Sequence, residues 1–77
     1  MWHEYIVSDK QVLPGKPIVK GTRISVELIL ELLAAGWTES QLLESYPNLT
    51  PDSLRAVFAY LKDCIQHELY FSLSASA

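Results

Sequence analysis

Thr38-Glu39-Ser40-Gln41-Leu42-Leu43-Glu44-Ser45-Tyr46-Pro47-Asn48-Leu49-Thr50-Pro51 is the stretch that decides how this chain folds. Thr38 can accept from the amide of Gln41 while the Gln41 side chain reaches back, so a helix starts here with a capping box. Leu42 and Leu43 supply its apolar side. It must stop near Tyr46, because a residue before proline is driven out of the α region. Thr50-Pro51 then restarts the chain as an N-cap followed by a first-turn proline. Nothing downstream breaks the pattern until about Phe71. The spacing predicts a short helix over residues 39–45, a turn of about four residues, and a long helix over 51–70.

Upstream, Ser25 is a further N-cap candidate, and Glu27 suits the positive end of a helix dipole. Val26, Ile29, Leu32 and Leu33 repeat at helical spacing up to the stop at Gly36, which predicts a first helix over 26–35. Before it, Tyr5-Ile6-Val7 and Pro17-Ile18-Val19 are short strand-like runs, with Val12-Leu13 a weaker one between them. Pro14-Gly15 fits a type II turn, Pro17 favours a sheet edge or the first position of a strand, and Gly21 ends the extended segment. The expected fold is α+β and mostly α: a three-helix, helix-turn-helix (homeodomain-like) domain with a small N-terminal β element. Residues 1–77 read as a single domain, with a β segment over 1–24, a helical unit over 25–71 and a frayed tail over 72–77.

A chain of 77 residues buries only about 60% of its unfolded surface, so its own core is small. Hydrophobic residues make up 49% and charged residues 19%, which excludes a disordered tail or a polybasic arm. Glu27, Glu31 and Glu39 interrupt the apolar runs, so no membrane span is expected. The start lacks a secretory pattern, and Cys64 is the single cysteine, so the cytoplasm is the expected location. Residues 1–24 hold four cationic side chains against two carboxylates, a net of +2, while residues 25–77 hold two against seven, a net of −5. Any anion-binding surface therefore belongs to the N-terminal segment.

On a helical wheel, the apolar residues of the third helix fill an arc of roughly 200°, where one small core needs little more than ~100°. Arg55, Ala56, Ala59 and Lys62 fall on the complementary arc. The excess predicts a homodimer or partner interface along Tyr60, Cys64, His67 and Phe71, with the N-terminal strands as an alternative. His67 on this flank reads as a packed histidine before a ligand, and Cys64 as a small buried hydrophobe with no cation to activate it. Trp37, directly after the Gly36 stop, reads as sealing the core. With two histidines, one cysteine and no cluster at metal-ligand spacing, neither a metal nor another cofactor is expected, nor an enzyme. Residues 16–22 contain the letters of a phosphate loop without its order.

The two C-terminal helices and their turn match the helix-turn-helix spacing, in which the second helix enters the DNA major groove. That places Thr50, Asp52, Ser53 and Arg55 near base edges, with Lys62 behind. One cation among the first contacts is few beside the several phosphate contacts that usually supply affinity. Closure of a three-helix core is the competing account of the same spacing. Arg23 can pair with Glu27 or Glu31 or touch a phosphate, and Lys16 and Lys20 are read as solvated unless DNA approaches.

Pro14-Gly15-Lys16-Pro17-Ile18-Val19-Lys20-Gly21-Thr22-Arg23-Ile24, followed by Val26, the Gly36-Trp37 break and residues 46–51, resembles the bacterial domain-of-unknown-function family 433. The resemblance runs from about Ile6 to Lys62. It marks Gly15, Lys16, Pro17, Gly21, Thr22 and Arg23 as signature positions without assigning them a chemical role. Pro14 stands where a second glycine is common, and the chain extends past the family pattern from about Asp63. The resemblance implies a small helix-turn-helix domain and an antitoxin-like role in a toxin–antitoxin pair, with a PIN-like ribonuclease as partner. The expected function is thus a small regulator that binds operator DNA through Lys16, Lys20, Arg23, Thr50, Ser53, Arg55 and Lys62. The alternative is a protein–protein interaction module that does not bind DNA.

Overall fold

The computed structural model describes residues 2–69. Strand β1 (Ile6–Ser8) and strand β2 (Pro17–Val19) form an antiparallel pair, with Ile6 opposite Val19, Val7 opposite Ile18 and Ser8 opposite Pro17. Three helices follow: α1 (Val26–Ala34), α2 (Glu39–Ser45) and α3 (Pro51–Cys64). The architecture is α+β and mostly helical, as the caps and stops predict.

The local chemistry is the expected one at nearly every junction. The Lys16 amide donates to the Leu13 carbonyl at 3.1 Å across Pro14-Gly15, and Gly15 has φ 76°, the mark of a type II turn. Pro17 opens β2 facing away from β1's hydrogen bonds, where its missing N–H costs nothing. Ser25 accepts from the Leu28 amide at 3.0 Å and caps α1. The end of α1 is a Schellman motif: Gly36 N–H donates to the Leu33 carbonyl and Trp37 N–H to the Leu32 carbonyl, both at 3.0 Å. Gly36 sits at φ 102°, a conformation L side chains rarely adopt, so a glycine is required there. Thr38 and Gln41 make the reciprocal capping box of α2.

Two expectations are corrected. Val12-Leu13 is no strand: both amides donate to the Asp9 carbonyl at 3.1 Å, and the Asp9 carboxylate accepts from the Gln11 amide at 2.9 Å. The aspartate turn competes with extension and wins. The third helix does not run as α-helix to residue 70. It ends at Cys64 and widens into a π-helical turn over Ile65–Leu69. Val57 is the last fully buried side chain on α3, and Ile65, Gln66 and His67 are exposed, so no core packing enforces α winding beyond Cys64.

The core joins Ile6 and Val19 from the sheet, Ile24 and Val26 from the entry to α1, and Ile29, Leu42, Leu49, Leu54, Ala56 and Val57 from the helical part. Ile29, Leu42 and Val57 are fully buried. Each such side chain contributes about 1.5–3 kcal/mol relative to exposure. Trp37 packs against this core, as its position after Gly36 predicts. No helix among the described residues is long and apolar enough to cross a membrane.

Candidate functional site

The junction of α2 and α3 is built from reciprocal hydrogen bonds. Residues 46–50 connect the helices, with Leu49 N–H donating to the Tyr46 carbonyl at 2.9 Å around Pro47-Asn48. Thr50 Oγ1 accepts from the Ser53 amide at 3.1 Å, while Ser53 Oγ accepts from the Thr50 amide and donates to the Thr50 carbonyl, both at 2.8 Å. This second capping box was not read from the sequence, because the familiar box carries Glu or Gln at its third helical position and serine is a shorter substitute. It also revises the site. Ser53 is 4% exposed and its hydroxyl is already used twice within the protein, so it is a cap rather than a base contact.

Arg55 and Lys62 are exposed on α3, as the wheel predicts, and Thr50 is exposed beside them. Arg55 has its Nη1 3.9 Å from Asp52 Oδ1, with both side chains largely in solvent. It also lines a cleft of about 280 Å³ between Trp2, Tyr5, Ala56 and Ala59, into which two carboxylates, Glu4 and Asp52, bring negative charge. The start of α3 thus gathers little positive potential. Ala56, placed by the wheel on the polar arc, is buried at this junction.

The flank assigned to a partner is partly covered by the chain itself. Residues Trp2–Glu4 form a 3₁₀ turn against α3. The Trp2 ring meets Tyr60 edge-on at 4.8 Å, and Trp2 Nε1 donates to Asp63 Oδ2 at 2.6 Å. His3 stacks on the indole at 3.8 Å. Tyr60 and Cys64 are half-buried, His67 is exposed and so not the packed histidine its place on the wheel predicts, and Phe71 lies outside the described residues. Sequence reasoning missed Trp2; the signal was a tryptophan too large to leave in solvent, facing an α3 arc too wide for one core. Among the described residues, the large apolar side chains that stay exposed are Phe58 on α3, at 42%, and Ile65 at the start of the π-helical turn, at 55%.

The basic residues of the N-terminal segment divide differently from expectation. Lys16, not Arg23, meets the acidic face of α1: Lys16 Nζ lies 2.7 Å from Glu27 Oε1. The hydrogen bond it donates to Glu27, reinforced by the Glu27 charge, holds the Lys16 ammonium above its ordinary pKa. Lys20 and Arg23 are exposed and line one cleft of about 530 Å³ together with Lys10, a residue not singled out from the sequence. Among the described residues, no group of three or more His, Cys, Asp or Glu side chains is placed to hold a metal ion.

The turn that carries Lys20 and Arg23 is the Gly21-Thr22 signature pair. Gly21 has φ 80°, and Thr22 Oγ1 donates to the Val19 carbonyl at 2.8 Å while accepting from the Ile24 amide at 3.0 Å. The family described as "Protein of unknown function (DUF433)" matches residues 6–61, which include this turn, both strands and nearly all of the three helices. The chain belongs to this family. It is also 33% identical over 57 residues to the uncharacterized protein y4eO of Sinorhizobium fredii (strain NBRC 101917 / NGR234). That match covers 74% of the chain and 26% of the relative, so the chain spans about a quarter of that protein's length. No solved structure matches the chain. Within the DUF433 segment, the signature positions have structural roles. Gly15 and Gly21 turn the backbone, Pro17 opens β2, Thr22 pins the second turn and Lys16 ties the hairpin to α1. Arg23 alone among them is a charged residue that lines a cleft with no ion-pair partner among the described residues.

Proposed function

We propose that this DUF433 protein is a small antitoxin-like regulator of the cytoplasm, acting as a homodimer that binds operator DNA and a PIN-like ribonuclease partner. The observation that carries the reading is the α2–α3 pair, joined by residues 46–50 and capped by a complete box at each helix start. Two rigidly capped helices with a short turn are the frame that a helix-turn-helix needs to present its second helix to a groove. In this reading Arg55 and Thr50 face the bases, Lys62 lies further along α3, and Lys20 and Arg23 supply phosphate contacts. Ser53, bonded to the Thr50 backbone, and Lys16, paired with Glu27 at the surface, leave the DNA-contacting set.

Phe58 and Ile65 serve the protein partner or the second copy, in place of the Tyr60 flank that Trp2 occupies. The same two residues favour a second reading, a protein-interaction module without DNA, since an exposed phenyl ring suits an apolar partner better than a phosphate backbone. A gel shift on the protein's own promoter fragment over a salt series separates the two. Retardation that weakens steeply with salt supports the regulator, because only phosphate contacts release counterions. No retardation at low salt, together with co-purification of the product of the neighbouring reading frame, supports the interaction module.

A further inference from the structure

We infer that the cleft between the β hairpin and the Gly21-Thr22 turn is a phosphate-binding site, with Lys10, Lys20 and Arg23 as its ligands. Three separate segments bring these cations together: the loop after β1, the end of β2 and the entry to α1. The volume of about 530 Å³ is within the ~300–1,000 Å³ usual for ligand clefts. Asp9 is the one carboxylate in its lining, and its Oδ1 already accepts from the Gln11 amide. No ion pair engages Lys10, Lys20 or Arg23 among the described residues, in contrast to Lys16 and Arg55, which each face a carboxylate.

The floor makes those charges effective. Val7, Val12 and the 2%-exposed Ile18 form an apolar base on the sheet face turned away from the main core. A low-dielectric wall beneath a cationic rim focuses the field outward, and the −5 balance of residues 25–77 leaves this cleft the natural destination for an anion. A guanidinium fork flanked by two ammonium groups suits the several oxygens of a phosphate better than a single carboxylate. Thr22 is a positioning residue here. Its hydroxyl is spent on Val19 and Ile24, and the turn it pins carries both Lys20 and Arg23 into the lining of the cleft.

The site deepens the regulator reading, and the choice of nucleic acid over a free nucleotide as the phosphate source rests on that reading. The test is amide-resolved NMR of the full chain titrated separately with inorganic phosphate, a mononucleotide, a short DNA duplex and polyglutamate. The expected result is phosphate- and duplex-induced shifts concentrated in residues 7–12 and 18–23. Lys20→Ala/Arg23→Ala should weaken binding about tenfold or more, as loss of charge-assisted contacts does, while Glu44→Gln, exposed on α2 and outside the cleft lining, leaves the cleft's phosphate affinity unchanged. These cations are exposed, so folding is preserved; Lys10→Ala gives an independent single variant, expected to flatten the duplex salt slope by ~0.9. Phosphate and mononucleotide binding in the cleft without duplex binding upholds the site and removes the DNA reading. Duplex shifts confined to α3 overturn the site and keep that reading. Polyglutamate matching phosphate, or silence from every phosphate probe, overturns the site.

Discussion

Replacing Ser53 by alanine separates a structural hydroxyl from a DNA-contacting one. Ser53 Oγ accepts from the Thr50 amide and donates to the Thr50 carbonyl, both at 2.8 Å, and the residue is 4% exposed. Alanine removes both bonds and keeps the Thr50 side chain as N-cap. Thr50 is itself exposed, so water can serve its amide and the full penalty of a buried orphan is not incurred. The expected loss is about 1–2 kcal/mol, the range of a cap or of one to two net hydrogen bonds. A domain of 77 residues holds about 4–12 kcal/mol in all, so the change is large. It should lower the melting temperature by about 4–16 °C, at ~4–8 °C per kcal/mol. Urea unfolding with an unchanged m-value gives the same number independently. Combined with Thr50→Ala, it should show a non-additive cycle, since each side chain bonds the other's backbone. A variant that melts like the parent but has lost DNA binding would refute the reasoning, because the hydroxyl would then belong to the ligand.

Gly36→Ala should cost about 1 kcal/mol or more although a Cβ there meets nothing within 4 Å, since the penalty lies wholly in φ 102°; thermal melts beside a milder Gly36→Asn check this. Trp2→Phe should keep the ring contact with Tyr60 and lose the bond to Asp63, and Trp2→Ala should destabilise further, with denaturant melts giving the order. Phe58→Glu with Ile65→Glu should leave the melting temperature nearly unchanged while abolishing self-association at tens of micromolar in sedimentation. The Lys16–Glu27 pair is exposed at both ends, so Glu27→Gln should barely move the neutral-pH melt. Because the folded pKa of Lys16 is raised, its contribution is complete below the unfolded value of ~10.4 and fades as pH climbs through the folded one; the small difference between variant and parent melts should close on that alkaline limb.

What could be read from the sequence was whatever rests on a residue and its near neighbours. Ser25, Gly36, Thr38 and Pro51 act within one helical turn, and their effects are set by backbone geometry alone, so the helix starts and the first stop fall where they should. The end of α3 did not follow from local chemistry, because it is set by where the core runs out of buried partners after Val57. Trp2 and Asp63 are 61 residues apart, and no periodicity links them. Lys16 meeting Glu27 likewise depends on how the hairpin lies on α1. The net charge of the N-terminal segment was legible, but which of its cations converge was not: Lys10, in the Asp9 turn after β1, lines the same cleft as Lys20 and Arg23 beyond β2.

That division of cations bears on how a protein of net charge −3 could approach DNA. The start of α3 offers Arg55 in the company of Asp52 and Glu4, an arrangement too weak in net charge to hold a duplex by itself. Affinity must then come from elsewhere on the surface, and the cleft with Lys10, Lys20 and Arg23 is where unpaired positive charge collects. In a two-fold dimer each copy contributes one such cleft, so three cations become six without any change in the acidic helical face. Sequence discrimination would then fall to α3 and affinity to the hairpin side. Substitutions at Arg55 should alter which duplex is preferred, and substitutions at Lys20 or Arg23 should weaken binding to every duplex alike.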